Sequence, residues 1–392
     1  MIIEPKTRGF ICTTAHPAGC RENVRRQIEY VTSQPEINSA KKVLVIGSST
    51  GYGLASRISM AFSGRAATIG IIFDKPASGK RTASAGWYNT AAFEEFAKAD
   101  GLYAKTLNGD AFSKEVKEKT ISLIKQDLGK VDMVIYSLAA PRRATEDGTT
   151  YSSVLKTVGN SYTNKTIDLA NRKVSDITID PATEEEITNT IKVMGGEDWK
   201  DWIQALKDAD AIEEDAVTLA YSYIGPELTH PMYKDGSIGK AKDHLFHTSQ
   251  EISRELGIEA YISVNKALVT QSSAAIPIVP LYITLLYKIM KEQGNHEGCI
   301  EQMYRLFHDK LQKDSVETDE DGMIRLDDLE MLPQVQEAVM KVWSTISDET
   351  LEKDADINGY WEDFYQMFGF CISGVDYTAD VDPDVKIPSI TE

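Results

Sequence analysis

Short runs of consecutive apolar residues alternate with stretches of helical periodicity over the first 140 residues. The apolar runs at 43–46, 67–74 and 130–141 predict buried strands, and 101–112 predicts a further strand with a loop. Helical patterns begin at about Leu54, at 89 and at 113. Strands that alternate with helices through short connections are typical of a doubly wound parallel sheet. The pattern therefore predicts an α/β fold of the Rossmann type.

The second half of the chain continues this alternation after an interruption. Residues 142–190 are polar and rich in turn formers, and we interpret them as an excursion that forms a hairpin. Helical and strand patterns then resume, with helices expected at 196–210, 240–256 and 276–294 and strands at 216–225 and 259–270. Beyond Lys310 the chain is acidic, with short helical pieces and an irregular tail. We therefore expect a core domain at 1–310 and an acidic helical extension at 311–392 that packs on it.

Composition narrows the class of protein. The 392 residues are 42% hydrophobic, carry a net charge of −18 and contain four cysteines. Such acidity disfavours nonspecific binding to nucleic acid, although local Lys and Arg residues can still bind a phosphorylated small ligand. No apolar run is long enough to span a membrane, and the N-terminus lacks the pattern of a secretory signal. A cytoplasmic protein in a reducing compartment is expected.

A glycine-rich loop, GSSTGYG at 47–53, lies between a predicted strand and a predicted helix. Glycine lets the backbone approach phosphate oxygens, and a helix N-terminus offers free N–H groups and a positive dipole end. The spacing is Gly-x-x-x-Gly-x-Gly rather than the commoner Gly-x-Gly-x-x-Gly. A glycine turn that merely links strand to helix is the alternative.

Acidic and small residues at the other strand ends favour a dinucleotide site over a simple turn. Asp74 closes the second strand, where a carboxylate can bind ribose hydroxyls and would repel a 2′-phosphate. This predicts NADH rather than NADPH. Further strand ends are expected to face the cofactor at Asp110, Ala111, Ser137, Leu138 and Ala139.

The stretch YSYIGPELTHPMYKDGSIGKAK at 221–242 brings tyrosines and lysines close together in sequence. A tyrosine hydroxyl can protonate a carbonyl oxygen on which charge develops, and a nearby lysine can bind the cofactor ribose. From Tyr233, Lys240 lies at Y-x6-K spacing and Lys242 at Y-x8-K. The segment DGSIG separates Tyr233 from the helix start, so helical spacing leaves both lysines open. Solvated lysines beside half-buried tyrosines are the structural alternative.

Several longer motifs resemble one family over nearly the whole chain. The motifs are RGFICTTAHPAGC, VLVIGSSTGYGLASRI, AGWYN, DAFS, VIYSLAAPRR, VMGGEDW, the 221–242 stretch, VNKALVTQSSAAIP and KEQGNHEGCIEQ. Through them the chain resembles the bacterial trans-2-enoyl reductases of the V type (FabV) and the trans-2-enoyl-CoA reductases.

The resemblance implies an enlarged fold of the short-chain-dehydrogenase type. It also implies reduction of the 2,3 double bond of an acyl thioester by NADH in fatty acid synthesis. The acyl group would be carried by acyl carrier protein or coenzyme A, and the enzyme would be a monomer. The core at 1–310 would then be the NADH-binding and catalytic domain.

The resemblance also assigns roles to individual residues. It implies Tyr233 as proton donor, Lys242 as the cofactor-binding lysine and Tyr223 as a substrate contact. Asp74 stands where related chains often have Glu, and either acid favours NADH. The implied cofactor contacts are Gly47, Ser48, Ser49, Thr50, Gly51, Tyr52, Phe73, Asp74, Asp110, Ala111, Leu138, Ala139, Lys242, Leu268, Val269 and Thr270.

Two other functions are compatible with the same stretch. One is a short-chain carbonyl (3-ketoacyl) reductase that uses Tyr233 with Lys240, and the other is a non-catalytic NADH-sensing protein.

The apolar segment 276–290 forms either one wall of an acyl channel or an ordinary core helix. No metal site is expected, because neither Cys12, His16 and Cys20 nor the acidic segment 317–328 has the full ligand pattern. No second dinucleotide fingerprint appears that would predict flavin.

Overall fold

The structure is a computed structural model that describes residues 1–8, 11–271, 273, 276–312 and 315–390. Gly9 and Phe10 of the first motif, and Ser272, Ala274 and Ala275 of VNKALVTQSSAAIP, lie outside the described residues. The strands are β1 (Thr7–Arg8), β2 (Ile11–Cys12), β3 (Lys42–Ile46), β4 (Ala67–Ile72), β5 (Ala104–Asn108), β6 (Val131–Tyr136), β7 (Arg142–Ala144), β8 (Thr150–Ser152), β9 (Tyr162–Asp168), β10 (Lys173–Ile179), β11 (Ile212–Ser222), β12 (Glu259–Val264), β13 (Leu311–Gln312), β14 (Ser315–Val316) and β15 (Ile324–Arg325).

The helices pack between and around these strands. They are α1 (Pro17–Thr32), α2 (Gly51–Ile58), α3 (Ala85–Ala99), α4 (Lys114–Asp127), α5 (Glu184–Met194), α6 (Glu197–Asp208), α7 (Ser237–Glu251), α8 (Val279–Gln293), α9 (Cys299–Arg305), α10 (Pro333–Thr345), α11 (Leu351–Asp354) and α12 (Ile357–Gln366). Five-residue π-helical segments extend α2, α7 and α9.

Seven of the described strands form one parallel sheet in the order β15-β12-β11-β6-β3-β4-β5. The central strands are apolar runs with side chains buried on both faces, as a sheet covered by helices on both sides requires. The predicted doubly wound α/β fold is therefore confirmed, and each apolar run predicted as a strand in the sheet is one.

The excursion at 142–190 is more elaborate than the single hairpin that the sequence predicted. It contains two antiparallel hairpins, β7–β8 and β9–β10, followed by α5. Its strands carry polar residues on exposed faces, which is why the sequence gives no strong strand signal there.

The acidic C-terminal segment contributes to the sheet as well as packing on it. Its strand β15 pairs in parallel with β12, so that Ser263 lies opposite Ile324. Both α10 and α12 pack against α8, whose side chains are buried on almost every side. The division at residue 310 stays a prediction. None of the described helices is long and apolar enough to cross a bilayer.

Candidate active site

The loops that follow the central strands converge at the carboxyl edge of the parallel sheet. The N–H of Ser137, after β6, donates to the carbonyl of Ile46 at the end of β3, at 2.8 Å. On the other side, the N–H of Asn265, after β12, donates to Ser222 at the end of β11, at 2.9 Å. Ligands of open α/β sheets bind outside this edge. The predicted cofactor and catalytic residues therefore lie on neighbouring loops.

The glycine-rich loop turns sharply after β3. Gly47 has φ +84°, and its N–H and that of Ser48 both donate to the Ile71 carbonyl at 3.0 Å. A Cβ on Gly47 would overlap the Ser137 carbonyl oxygen, so only glycine fits between these loops. Gly51 has φ +54° and is the first residue of α2. A Cβ added at Gly51 would have no heavy atom within 4 Å, so the space beside the loop is open there. The Thr50 side chain makes no capping hydrogen bond to this helix, which leaves N–H groups of the first turn for an anion.

Asp74 and Phe73 follow β4 beside this loop. The Asp74 carboxylate accepts a hydrogen bond from Ser84 Oγ at 2.7 Å, and its backbone forms a reciprocal pair with the Asn108 amide at 2.9 Å. Burial raises the pKa of Asp74, while hydrogen bonds from Ser84 and Ser49 oppose that shift. The Phe73 side chain is 79% exposed. The pair thus offers a fixed acceptor for ribose hydroxyls and an apolar ring beside it.

The remaining predicted cofactor residues line the same edge. Asp110 Oδ1 accepts from the Phe112 N–H at 3.0 Å, which holds the turn after β5. Leu138 is half-buried and Ala139 is exposed after β6. Leu268 and Val269 are buried after β12, where the Val269 N–H donates to the Tyr287 hydroxyl oxygen at 3.1 Å. The structure therefore gathers these residues on one edge of the sheet.

Tyr223 and Tyr233 are in contact although nine residues of turns separate them. Their ring centroids are 5.0 Å apart and the rings are nearly perpendicular, at 78°. The Tyr233 N–H donates to the Thr229 carbonyl at 2.8 Å, and its hydroxyl makes no hydrogen bond to a described residue. Burial raises the pKa of Tyr233 to about 12. Its hydroxyl therefore stays protonated at neutral pH and can act as a donor.

The two candidate lysines face in different directions on α7. Lys242 Nζ donates to the Tyr221 carbonyl at 2.9 Å, next to the end of β11. Burial lowers the pKa of Lys242 to about 8. Lys240 is exposed and lies 3.7 Å from Asp243 on the outer face of the helix. The geometry therefore brings Lys242, and not Lys240, to the strand end that carries Tyr223.

The sequence did not single out Glu330, which contacts this site. Its carboxyl group is fully buried and is hydrogen-bonded to the hydroxyls of Tyr223 and Tyr282, at 3.2 and 2.7 Å. The only signal for it is an acid between apolar neighbours, Leu329 and Met331.

The segments considered for metal binding have other contacts. The described residues contain no group of three or more His, Cys, Asp or Glu side chains that could hold a metal ion. His16 Nδ1 accepts from the Gly19 N–H at 3.2 Å, and Arg325 pairs with Asp319 and Asp327 at 3.3 and 2.6 Å.

Comparison with known families identifies the chain. The model described as the trans-2-enoyl-CoA reductase catalytic region matches residues 81–312, more than half of the chain. The chain belongs to the trans-2-enoyl-CoA reductase family. A second model, the NAD(P)H binding domain of trans-2-enoyl-CoA reductase, matches residues 2–79 and includes the glycine-rich loop. The predicted family is therefore confirmed.

Curated members of this family are similar over their full length. The chain is 56% identical over 394 residues to trans-2-enoyl-CoA reductase [NADH] of Ruminiclostridium cellulolyticum, with 100% of both chains covered. It is 58% identical over 395 residues to enoyl-[acyl-carrier-protein] reductase [NADH] of Flavobacterium johnsoniae, again with 100% of both covered.

Solved structures of the reductase family agree in fold. The crystal structure of Treponema denticola trans-2-enoyl-CoA reductase in complex with NAD is 46% identical, with a TM-score of 0.95 over 99% of this chain and 100% of that one. The Clostridium acetobutulicum enzyme in complex with NADH is 42% identical, with the same TM-score and coverage.

A third family model, described as an enoyl reductase FAD binding domain, matches residues 318–381. In this segment the connection from β15 to α10, residues 326–332, contains no glycine. This connection therefore lacks the glycines that let the loop after β3 approach a dinucleotide, and we assign no role to flavin.

Proposed function

We propose that this member of the reductase family reduces the 2,3 double bond of trans-2-enoyl thioesters with NADH. One arrangement carries the proposal. Two half-buried tyrosines, Tyr223 and Tyr233, are in contact at the end of β11, and Lys242 binds the backbone of the same strand end. Two hydroxyl groups and an ammonium group thus converge where a dinucleotide would place its reactive ring.

The loop residues fit NADH. The N-terminus of α2 with Gly47–Tyr52 would bind the pyrophosphate, because the loop is open at Gly51 and its helix N–H groups are available. Asp74 would bind the adenine ribose and disfavour a 2′-phosphate. Phe73, Asp110, Ala111, Leu138, Ala139 and 268–270 would complete the contacts. NADH, when bound, supplies the hydride that adds to C3 of the substrate.

Hydride addition at C3 leaves negative charge on C2 and on the thioester oxygen. We infer that Tyr233 is the proton donor, because burial keeps its hydroxyl protonated and that hydroxyl makes no hydrogen bond to a described residue. Tyr223 lies against it and would donate a second hydrogen bond to the same oxygen. Lys242 would hold the nicotinamide ribose and, as a cation, favour loss of the Tyr233 proton.

The acyl chain would lie along α8. Tyr223 and Tyr233 pack against the large apolar cluster to which Ile276, Val279 and Ile283 also belong. We propose that 276–290 forms one wall of the acyl channel. We further propose that acyl carrier protein or coenzyme A carries the substrate, that the enzyme is a cytoplasmic monomer, and that it acts in fatty acid synthesis.

The rival function as a carbonyl reductase has less support, because Lys240 faces solvent on the outer side of α7. Parallel assays of NADH oxidation with crotonyl-CoA and acetoacetyl-CoA separate the two enzymes. We expect turnover with crotonyl-CoA alone; turnover with acetoacetyl-CoA alone would overturn the proposal. An NADH-sensing protein would bind NADH and turn over neither thioester.

The acyl carrier is tested by assaying NADH oxidation with an enoyl group attached to acyl carrier protein. The oligomeric state is tested by light scattering after gel filtration.

A further inference from the structure

Glu330 is a fully buried carboxyl group that lies behind the proposed substrate tyrosine. Oε1 is 3.2 Å from the Tyr223 hydroxyl and 2.7 Å from the Tyr282 hydroxyl, and Oε2 accepts the Ala267 N–H at 2.7 Å. Gln336 Nε2 donates to the Tyr282 hydroxyl at 3.1 Å and to the Glu330 carbonyl at 2.7 Å. Two contacts, from Tyr282 and Ala267, therefore hold the carboxyl group, and its third contact is Tyr223. Gln336 steadies this arrangement by binding Tyr282 and the Glu330 backbone.

A tyrosine hydroxyl has one proton, so it can donate in only one direction at a time. If Glu330 is ionised, it accepts the Tyr223 proton, and Tyr223 then turns its lone pairs towards the substrate. If Glu330 is neutral, its own O–H can donate to the Tyr223 oxygen, and the Tyr223 O–H becomes available to the substrate. The hydrogen bonds around Glu330 are compatible with its neutral form, because a protonated Oε1 can donate to the Tyr223 oxygen and still accept from the Tyr282 hydroxyl.

We propose that Glu330 is a positioning residue for Tyr223, whose neutral carboxyl donates a hydrogen bond to the Tyr223 oxygen and thereby turns the Tyr223 O–H towards the thioester oxygen. The inference rests on the substrate role proposed for Tyr223. No covalent bond changes at Glu330, and the proton that completes the reaction comes from Tyr233.

Burial shifts the carboxyl group towards its neutral form by raising the pKa of Glu330. The charge of Lys266 and the hydrogen bonds from Ala267 and Tyr282 oppose this shift, and the charge of Asp327 reinforces it. The titratable groups that face the carboxyl group are Tyr52, Tyr223, Tyr282, Lys266 and Asp327. Lys266 is itself buried, and its Nζ donates to the Ala267 carbonyl at 3.0 Å rather than to Glu330.

A double-mutant cycle in the full-length enzyme tests the proposal. Y223F, E330A and the double variant are assayed with NADH and crotonyl-CoA. We expect E330A to lower kcat by about tenfold with KM for crotonyl-CoA changed less than about twofold, and Y223F to lower kcat by about 100-fold. Because Glu330 acts through Tyr223, the double variant should be no slower than Y223F. Losses that multiply would overturn the proposal, as would an unchanged kcat in E330A.

Two further variants separate positioning from folding. E330Q keeps a neutral donor at the same place and should recover kcat to within about threefold of wild type; a loss equal to that of E330A would contradict a neutral Glu330. If E330A does not fold, the same double-mutant cycle is measured with E330D, whose shorter side chain moves the carboxyl group away from Tyr223. E337A, at an exposed glutamate of α10, is the matched control. An inactive wild type would instead refute the proposed function, and an active wild type with a fully active Y223F would refute the role of Tyr223.

Discussion

The ring of Tyr233 stands edge-on against the ring of Tyr223, with centroids 5.0 Å apart and an interplanar angle of 78°. Tyr223 immediately follows the end of β11, whereas Tyr233 lies in the turns before α7. The contact therefore brings together two hydroxyl-bearing side chains from separate elements. We propose that the reaction of this family takes place beside this pair of tyrosines.

The opposite orientations of Lys242 and Lys240 predict unequal effects of their removal. Lys242 is directed to the end of β11, and Lys240 lies in solvent beside Asp243. We expect K242A to lower kcat/KM with NADH and crotonyl-CoA by about 100-fold or more, by analogy with loss of one stabilising group in a site. K240A should stay within about twofold of wild type. Equal losses in the two variants would contradict the assignment of Lys242.

The lowered pKa of Lys242 predicts a pH dependence of cofactor binding. Burial lowers this pKa to about 8, so the side chain is charged below that pH and neutral above it. If the ammonium form binds the ribose, the Kd for NADH should rise about fivefold between about pH 8 and pH 9. Isothermal titration across this range measures the change. K242M should bind weakly at every pH, and a K242M profile as steep as that of wild type would assign the titration to another group.

The carboxylate of Asp74 predicts cofactor selectivity. Asp74 lies between Ser84 and the glycine-rich loop, and in the proposed binding mode its negative charge would face the 2′-phosphate of NADPH. D74N keeps the shape and removes the charge, so the ratio of the Kd for NADPH to that for NADH should fall by about tenfold or more. E118Q, at an exposed glutamate of α4, is the control for net charge. An unchanged ratio in D74N would show that another group selects the cofactor.

The two left-handed glycines of the loop predict different costs of substitution. Both Gly47 and Gly51 have positive φ, at +84° and +54°, but only a Cβ at Gly47 would meet another atom. G51A should therefore destabilise the protein by about 1–2 kcal/mol through backbone conformation alone. G47A adds overlap with the Ser137 carbonyl and should lower the melting temperature more. Equal melting temperatures of G47A and G51A would contradict this prediction, because they would mean that the loop after β6 moves away from the added Cβ at little cost.

Much of the fold could be predicted because its signals are local. The strands of the sheet from β3 to β12 are apolar runs next to turn residues, so each appears in the sequence without knowledge of its partners. The strand β15 could not be found in this way, because it has two residues and acquires its conformation only by pairing with β12. The sequence indicated only one hairpin in 142–190, because the strands of the two hairpins there carry polar residues on exposed faces.

The candidate site shows the same limit. The sequence supplied the tyrosines and lysines but left two lysines open, because the turns between β11 and α7 break any helical spacing. The family resemblance selected Lys242, and the orientation of α7 supports that selection. Glu330 lies 107 residues from Tyr223 in sequence, so no spacing rule could join them. Its role depends on contacts that form only when the C-terminal segment packs on the core.

We propose that Tyr233 protonates the enolate that hydride addition from NADH leaves on the enoyl thioester. The most direct test is to quantify butyryl-CoA formed from crotonyl-CoA and NADH by wild type and by Y233F at equal concentration, with NADH binding and melting temperature measured in parallel. We expect wild type to form one butyryl-CoA for each NADH consumed. Y233F should bind NADH normally and form product at least about 100-fold more slowly. A folded Y233F that forms butyryl-CoA at the wild-type rate would contradict the account.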